Sequence, residues 1–423
     1  MMESVRSRRS FLGVFLCLTS LVSFAIAQSI YQVVTGKVAA NAEFIVLNRV
    51  THAKLFFLIL VFNVVPALVA ALMWIFLRSR NERVAGLWLR GCYFVLLAPF
   101  SFELHKRYVA PFLRFNHNTA LLAVPLLLSG YVIFRHTGEF ERFLHVLSPT
   151  IVLFPVLFLV RAWHEVLPPV QNNTSGIGKN AITKTAAHPP IFLLVFDEFS
   201  RVALLDGTGR IDRAQFPHFA VFADESTWFT NATSNAALTI WSVPVILTGD
   251  LPKGDDPADA AYPRNLFRLL SPEYGIRAHE VVSRFCLEPP NDCPDEERLR
   301  SSSSLIRSVL QLYAMRAAPI FLVMRVLRSD LLQEQERFRS FLNEIAKSSG
   351  AKPTFHFFHQ ELPHAPYMLK PDGRVQIAQP GFLDPSLAGN QVVLDDLRTR
   401  YLEQIQFVDR ELGEFLDRLR QTG

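Results

Sequence analysis

The sequence predicts an N-terminal α-helical membrane bundle of about five spans, followed by a C-terminal α/β domain. Three observations predict this. The 423 residues are 50% hydrophobic and only 19% charged, whereas soluble domains carry about a quarter charged residues. The apolar excess lies before about residue 165. After residue 190, short apolar runs alternate with amphipathic stretches, the pattern of strands and helices around a largely parallel sheet. The expected divisions are 1–165 for the membrane region, 166–189 for a linker and 190–423 for the α/β domain.

The first apolar run, Phe11 to about Ile30, follows Arg6, Arg8 and Arg9. It reads as an uncleaved anchor because apolar residues continue to Ile30 and Val34. The competing reading is a signal peptide cleaved after Ala25-Ile-Ala27. The second run, Leu55–Leu77, is long enough to span a bilayer unaided. Three shorter runs follow at about Gly86–Leu104, Thr119–Phe134 and Phe143–Val160. These would need tilt or bilayer thinning to cross.

The net charge is +5 and the pI about 9.1. Many of the cations flank the apolar runs, as membrane topology requires. No basic tract with interleaved aromatics is present, so nucleic acid is not an expected partner. Arg6, Arg8 and Arg9 with Arg78, Arg80 and Arg83 would lie on the cytoplasmic side if the N-terminus is inside. The intervening loops carry Lys37, Arg49, Lys54, Lys106, Arg107 and Arg114, and the modest bias reads as a cytoplasmic N-terminus. With an odd number of spans, the C-terminal domain is then extracytoplasmic, in an inner or plasma membrane. Few charges fall well inside the runs, which speaks against an ordinary receptor or transport component.

Pro168–Pro190 has the composition of an exposed tether. Cys17 and Cys92 fall in apolar runs and read as packing residues. Cys286 and Cys293 flank a polar, turn-rich loop and read as a loop disulfide in an oxidising compartment. Two free thiols are the alternative. Asn173 and Asn231 sit in glycosylation-like sequons.

In the C-terminal part, Ile191–Phe196 reads as a strand and Phe216–Asp224 as a helix. Thr239 opens a second helix. A strand is expected around Arg277–Val282, helices over Leu305–Lys347, and a strand at Thr354–Phe358. A last helix over Asp395–Arg420 buries a stripe of Leu397, Tyr401, Ile405, Val408, Leu412, Phe415 and Leu419.

Chemistry gathers at strand ends. The first strand runs into Asp197-Glu198, at the edge where open α/β sheets bind ligands. Two carboxylates there suit a divalent cation. A solvated acidic pair is the plain alternative. Downstream lies Thr239-Ile-Trp-Ser-Val-Pro-Val-Ile-Leu-Thr-Gly249. A Thr in that place is ordinarily a helix N-cap, and a nucleophile if a cation lowers its pKa. His364 stands in Glu361-Leu-Pro-His-Ala-Pro366, after the strand at 354–358. His356 and His359, on or beside that strand, read as core or rim residues.

The Thr239 segment resembles the nucleophile helix of the alkaline phosphatase superfamily, in particular sulfatases and membrane-anchored phosphoethanolamine and phosphoglycerol transferases. Sulfatases carry Cys-x-Pro-Ser-Arg running into Leu-Thr-Gly, and alignment on Leu247-Thr-Gly249 puts Thr239 at the cysteine. The transferases carry a Thr ahead of Ser-Val-Pro, and Ser242-Val-Pro244 again selects Thr239. The resemblance implies Glu198 as a metal ligand, with Asp197 its paired acid, and His364 beside the transferred group. With Thr at position 239 no formylglycine can form, and Val243 takes the place of the sulfatase arginine.

The resemblance therefore implies a membrane-anchored, sulfatase-like hydrolase or transferase acting on phosphate or sulfate esters through a Thr nucleophile. It implies a divalent metal (Zn, Mn or Ca) and lipid head groups or cell-surface esters as substrates. In the family a Ser/Thr-Asp-His-Gly motif follows a helix like 395–420 and completes the metal site. It does not occur in the 423 residues, and Val408-Asp409-Arg410 is not that motif. The expectation is an α/β domain incomplete at its C-terminus that holds its metal loosely. The alternative is a truncated, non-catalytic homologue acting as a membrane binding or partner protein.

Overall fold

The computed structural model describes residues 9–35, 44, 48–104, 119–163, 166, 189–252, 262–286, 292–294, 301–317, 320–345, 352–377 and 389–422. All but the last two residues of the expected tether Pro168–Pro190, Asn173 among them, and the cations Arg6, Arg8, Lys37, Lys106, Arg107 and Arg114 lie outside those residues. The chain divides into two units. One is 1–169 with 299–323, the other 170–298 with 324–423. Residues 299–323, inside the stretch expected to form the second domain, thus belong to the first unit.

The first unit is helical. Ser10 caps α1 (Phe11–Val22) by accepting from the Gly13 amide. A π-helical turn, Ser23–Ala27, leads into α2 (Gln28–Thr35). Thr51 caps α3 (His52–Ile59). A second π turn, Leu60–Val64, leads into α4 (Val65–Arg80). Pro66 lacks the amide hydrogen that α-helical pairing needs, and the widened turn just before it accommodates the loss. Asn81 caps α5 (Glu82–Leu104) through the Arg83 and Val84 amides. Then come α6 (Thr119–Arg135), α7 (Thr137–Val146) and α8 (Thr150–Ala162).

Among the described residues, three helices are long and apolar enough to cross a membrane, Phe11–Gln32, His52–Arg80 and Glu82–Leu104, as in a multi-pass membrane protein. The pair α7–α8, bent by 42°, makes a fourth if it counts as one span. Five spans were expected, and the difference has two causes. The fourth expected span, α6, has 17 residues, roughly 26 Å against an apolar layer of about 30 Å. The fifth is broken between the Leu147 C-cap of α7 and the Pro149 N-cap of α8. On α4, Ala67, Ala70, Ala71 and Trp74 are buried while Leu68, Val69, Leu72, Ile75 and Phe76 are exposed. Small residues inward and large apolar ones outward suit close helix packing in lipid. The helix α9 (Ser302–Ala317) joins this unit, its Leu305 and Val309 packed in one cluster with Ile30, Tyr31, Leu55, Leu58 and Phe158.

The second unit is built on β1 (Ile191–Phe196), β2 (Gly275–His279) and β3 (Thr354–Gln360), ordered β1–β3–β2 and all parallel. This is a small sheet in a mostly helical structure. Helices α10 (Pro217–Asp224), α11 (Thr239–Thr248) and α12 (Leu266–Leu270) fall between β1 and β2 in sequence. Helix α13 (Ile320–Ile345) precedes β3, and α14 (Gln391–Thr422) follows it. On one face of β3, Phe355 and Phe357 meet Phe267 of α12. On the other, Phe358 meets Phe338 and Phe341 of α13. Phe415 of α14 meets Phe341 and Phe192. A sheet covered on both faces explains the near-continuous apolar run of β1.

Strand β2 stops at His279, before the expected end. The buried Glu280 carboxylate accepts from the Phe285 and Cys286 amides, at 3.0 and 2.7 Å, and curls the chain away. Cys286 and Cys293 form a disulfide with Cα atoms 5.9 Å apart. Cys17 and Cys92 are free. His356 and His359 are buried in β3. His356 stacks on Phe192 with ring centres 4.7 Å apart. Burial lowers its pKa to about 4 and that of His359 to about 3.

Candidate active site

Parallel strands bring their C-terminal ends to one edge. Phe196 pairs with Gln360, and the Asp197 amide still donates to the Gln360 carbonyl at 3.0 Å. The segments after β1 and β3 therefore leave the sheet side by side, which brings Asp197, Glu198 and His364 together.

Asp197 stays in line with β1. Glu198 then turns the chain sharply, with φ at 53° in the left-handed region. For a side chain other than glycine this conformation is strained and needs support. Tyr401 of α14 supplies it. Its hydroxyl donates to the Glu198 carbonyl at 2.7 Å and accepts from the Ser200 amide at 2.9 Å. The Glu198 amide donates to Asp197 Oδ1 at 3.0 Å.

Thr239 is the first residue of α11, and Leu238, in extended conformation, is the N-cap. The Thr239 hydroxyl does not cap its helix. It donates to the Asp197 carboxylate, 3.1 Å from Oδ1 and 3.2 Å from Oδ2. Ile240, Val243, Pro244, Val245 and Leu247 bury the helix, and Gly249 ends it with φ at 69°. This anchored apolar helix fixes where the hydroxyl stands.

His364 Nε2 lies 3.3 Å from Glu198 Oε1. His364 Nδ1 lies 2.7 Å from the Ala365 carbonyl. A carbonyl only accepts, so Nδ1 carries a proton and Nε2 faces Glu198. The loop that carries His364 is held by Gln404 of α14, which is fully buried. The Gln404 amide donates to the Pro363 and His364 carbonyls, at 3.1 and 2.9 Å. Its oxygen accepts from the Met368 and Leu369 amides, at 3.0 and 3.2 Å.

Burial raises the Asp197 carboxyl above its ordinary range, against the pull of His364 and the Thr239 hydrogen bond. The Tyr367 phenol, its ring 5.1 Å from that of Tyr401, is pushed up to about 12 by burial and by Glu198. The four residues named from sequence thus stand in one cluster. Tyr401, Gln404 and Tyr367 complete it and were not foreseen as site residues. Tyr401 was expected only as part of the buried stripe of the last helix. For Gln404 the usable signal was an uncharged polar residue at a core position of that helix.

The oxygens of Asp197, Glu198 and Thr239 are the kind of donor that hard divalent cations take. Among the described residues, no group of three or more His, Cys, Asp and Glu side chains is arranged to hold a metal. The donor set fits such a cation in kind and falls short in number. Compared with protein-family models, with curated proteins and with solved structures, the chain finds no match in any of the three.

Proposed function

We propose that this chain is a membrane-anchored enzyme of the alkaline phosphatase type that cleaves or transfers phosphate or sulfate esters. The observation that carries the reading is the Thr239 hydroxyl resting on the Asp197 carboxylate at the edge of β1. A half-buried hydroxyl hydrogen-bonded to a group able to draw its proton is a prepared nucleophile. Thr239 Oγ1 forms a bond to phosphorus or sulfur as the bond to the leaving oxygen breaks. The product is an ester on Thr239. Water or an acceptor hydroxyl then attacks that ester and frees Thr239. His364, held by Gln404, donates to oxygens of the transferred group. Glu198 and Asp197 are the residues that would hold a divalent cation, Zn, Mn or Ca. When bound, such a cation lowers the pKa of a coordinated hydroxyl and offsets charge on the group in transfer.

The location follows from the same reading. Arg78 at the end of α4 donates to the Arg9 carbonyl before α1, so these cations share one side, taken as cytoplasmic. The Cys286–Cys293 disulfide suits an oxidising compartment for the second unit. Lipid head groups and cell-surface esters are the substrates in reach there.

A second reading is favoured by the short metal donor set. In it the chain binds a partner or ligand and turns nothing over. One experiment separates the two. The full chain, purified in detergent with Zn, Mn or Ca, is given nitrophenyl phosphate, bis-nitrophenyl phosphate and nitrophenyl sulfate. The proposal expects bound metal by elemental analysis, lost in Glu198→Gln, and turnover that Thr239→Ala abolishes. It also expects an acid-trapped adduct on the Thr239 peptide. Turnover unchanged in Thr239→Ala, or none with any metal, would overturn it.

A further inference from the structure

The first unit contains a polar cavity remote in sequence from the residues above. It measures about 340 Å³, and its lining includes Arg9, Gly13, Cys17, Tyr93, Glu141 and His145. Gly13 and Cys17, four residues apart, share one side of α1, and Arg9 lies just before the Ser10 cap of that helix. Glu141 and His145, also four apart, share one side of α7. The two helices make two rungs. Arg9 Nε donates to Glu141 Oε2 at 3.2 Å, and Cys17 Sγ lies 3.5 Å from His145 Nε2. Gly13 stands between the rungs on α1 and leaves the gap open.

The charges at this gap are uneven. The Glu141 carboxylate is engaged on both oxygens, by Arg9 and by the Tyr93 hydroxyl at 3.3 Å. Among the described residues Arg9 engages Glu141 through Nε alone, so both terminal nitrogens of its guanidinium are there to face another group. A second guanidinium, that of Arg78, is fixed on the Arg9 carbonyl. Two guanidiniums against one carboxylate leave one positive charge beside a cavity of ligand size. Guanidinium is the side chain suited to phosphate, which it meets with paired N–H groups.

We propose that this cavity binds the singly charged phosphodiester of an anionic ligand. Arg9 takes the phosphate oxygens, Arg78 adds charge from its place on the Arg9 carbonyl, and the gap at Gly13 takes the rest of the head group. A phospholipid head and a water-soluble phosphodiester share this chemistry. Basic pockets between membrane helices are known to take the former.

The test uses the full chain in nanodiscs of phosphatidylcholine with a minor share of phosphatidylglycerol. Lipid that stays on the released protein is counted by native mass spectrometry. One retained phosphatidylglycerol is expected. Retention should fall about tenfold in Arg9→Gln, the loss of one charge-assisted contact. Because that variant also removes the partner of Glu141, Gly13→Leu is measured beside it. It fills the gap without changing charge. Its Cβ would stand 3.2 Å from the Ser10 hydroxyl that caps α1, so Gly13→Ala, which meets that hydroxyl without filling the gap, is the control for the cap. Arg142→Gln, which touches only the exposed Glu139 pair, should retain lipid as the parent does. Dimethyl phosphate is then added. If it displaces the lipid, the natural ligand is a soluble diester; if it does not, the ligand is a lipid. Either result keeps the phosphodiester assignment. Equal retention by parent, Arg9→Gln and Gly13→Leu overturns it, as does retention of phosphatidylcholine as strong as that of phosphatidylglycerol.

Discussion

The two units each gather carboxylates, and they treat them in opposite ways. In the helical unit, Glu141 is matched on both oxygens by groups from other segments, and the pairing helps hold helices together. In the α/β unit, Asp197 and Glu198 come from a strand end. They face a hydroxyl and an imidazole, and one of them stands on strained backbone. The first arrangement spends its charge on structure. The second holds charge available for chemistry at some cost to stability, as functional sites commonly do.

The largest effect that would break this contrast is on turnover. Thr239→Ala should lower ester cleavage by about a thousandfold or more, the scale of losing a nucleophile, with the melting temperature little changed. Next is Gln404→Leu. It leaves two amides and two carbonyls of the His364 loop without their buried partner, and should cost about 2–4 kcal/mol by denaturant or thermal melting. On the helical side, Glu141→Gln weakens the contact to the partly exposed Arg9 and should cost about 1–2 kcal/mol, read as a lower melting temperature in detergent.

The smallest effect has the opposite sign. Burial raises the Asp197 carboxyl in the folded chain. A group raised in this way adds stability below its unfolded pKa of about 3.9 and loses it as pH rises through the folded value. At pH 7 its charge therefore costs stability. Asp197→Asn should melt slightly higher than the parent at pH 7, and the gain should shrink as pH falls into the carboxyl range. A lower melting temperature at pH 7 would show that the Thr239 hydrogen bond outweighs burial, and the contrast between the units would fail there.

The edge of the second unit was legible in sequence because composition changes abruptly at it. Ile191–Phe196 runs into two acids, an apolar helix begins at Thr239, and Thr354–Gln360 gives way to a proline-rich loop. The support for that edge was hidden. Tyr401 and Gln404 lie inside an amphipathic helix, where periodicity reports burial and says nothing of what a polar atom bonds. Asp409 is a similar case. It sits in the same helix, yet its carboxylate accepts from the His218 and Phe219 amides at 3.2 and 2.7 Å and caps α10 from a distance. One turn on, Gly413 lies under His218, where a Cβ would come within 2.5 Å of the ring. The span count was legible in part, with three or four of about five expected spans found among the described residues. Hydropathy does not register that Pro149 splits one apolar stretch or that α6 is short.

The membership of residues 299–323 in the first unit bears on how the protein can be taken apart. The second unit is not one stretch of chain. A soluble fragment cut at residue 190 and carried to the C-terminus would take α9 with it and present Leu305 and Val309 to water, away from the apolar cluster that covers them. Such a fragment would aggregate through that helix whatever the merit of its own sheet. A well-behaved fragment of the second unit calls for an internal excision, with a short polar bridge in place of 299–323.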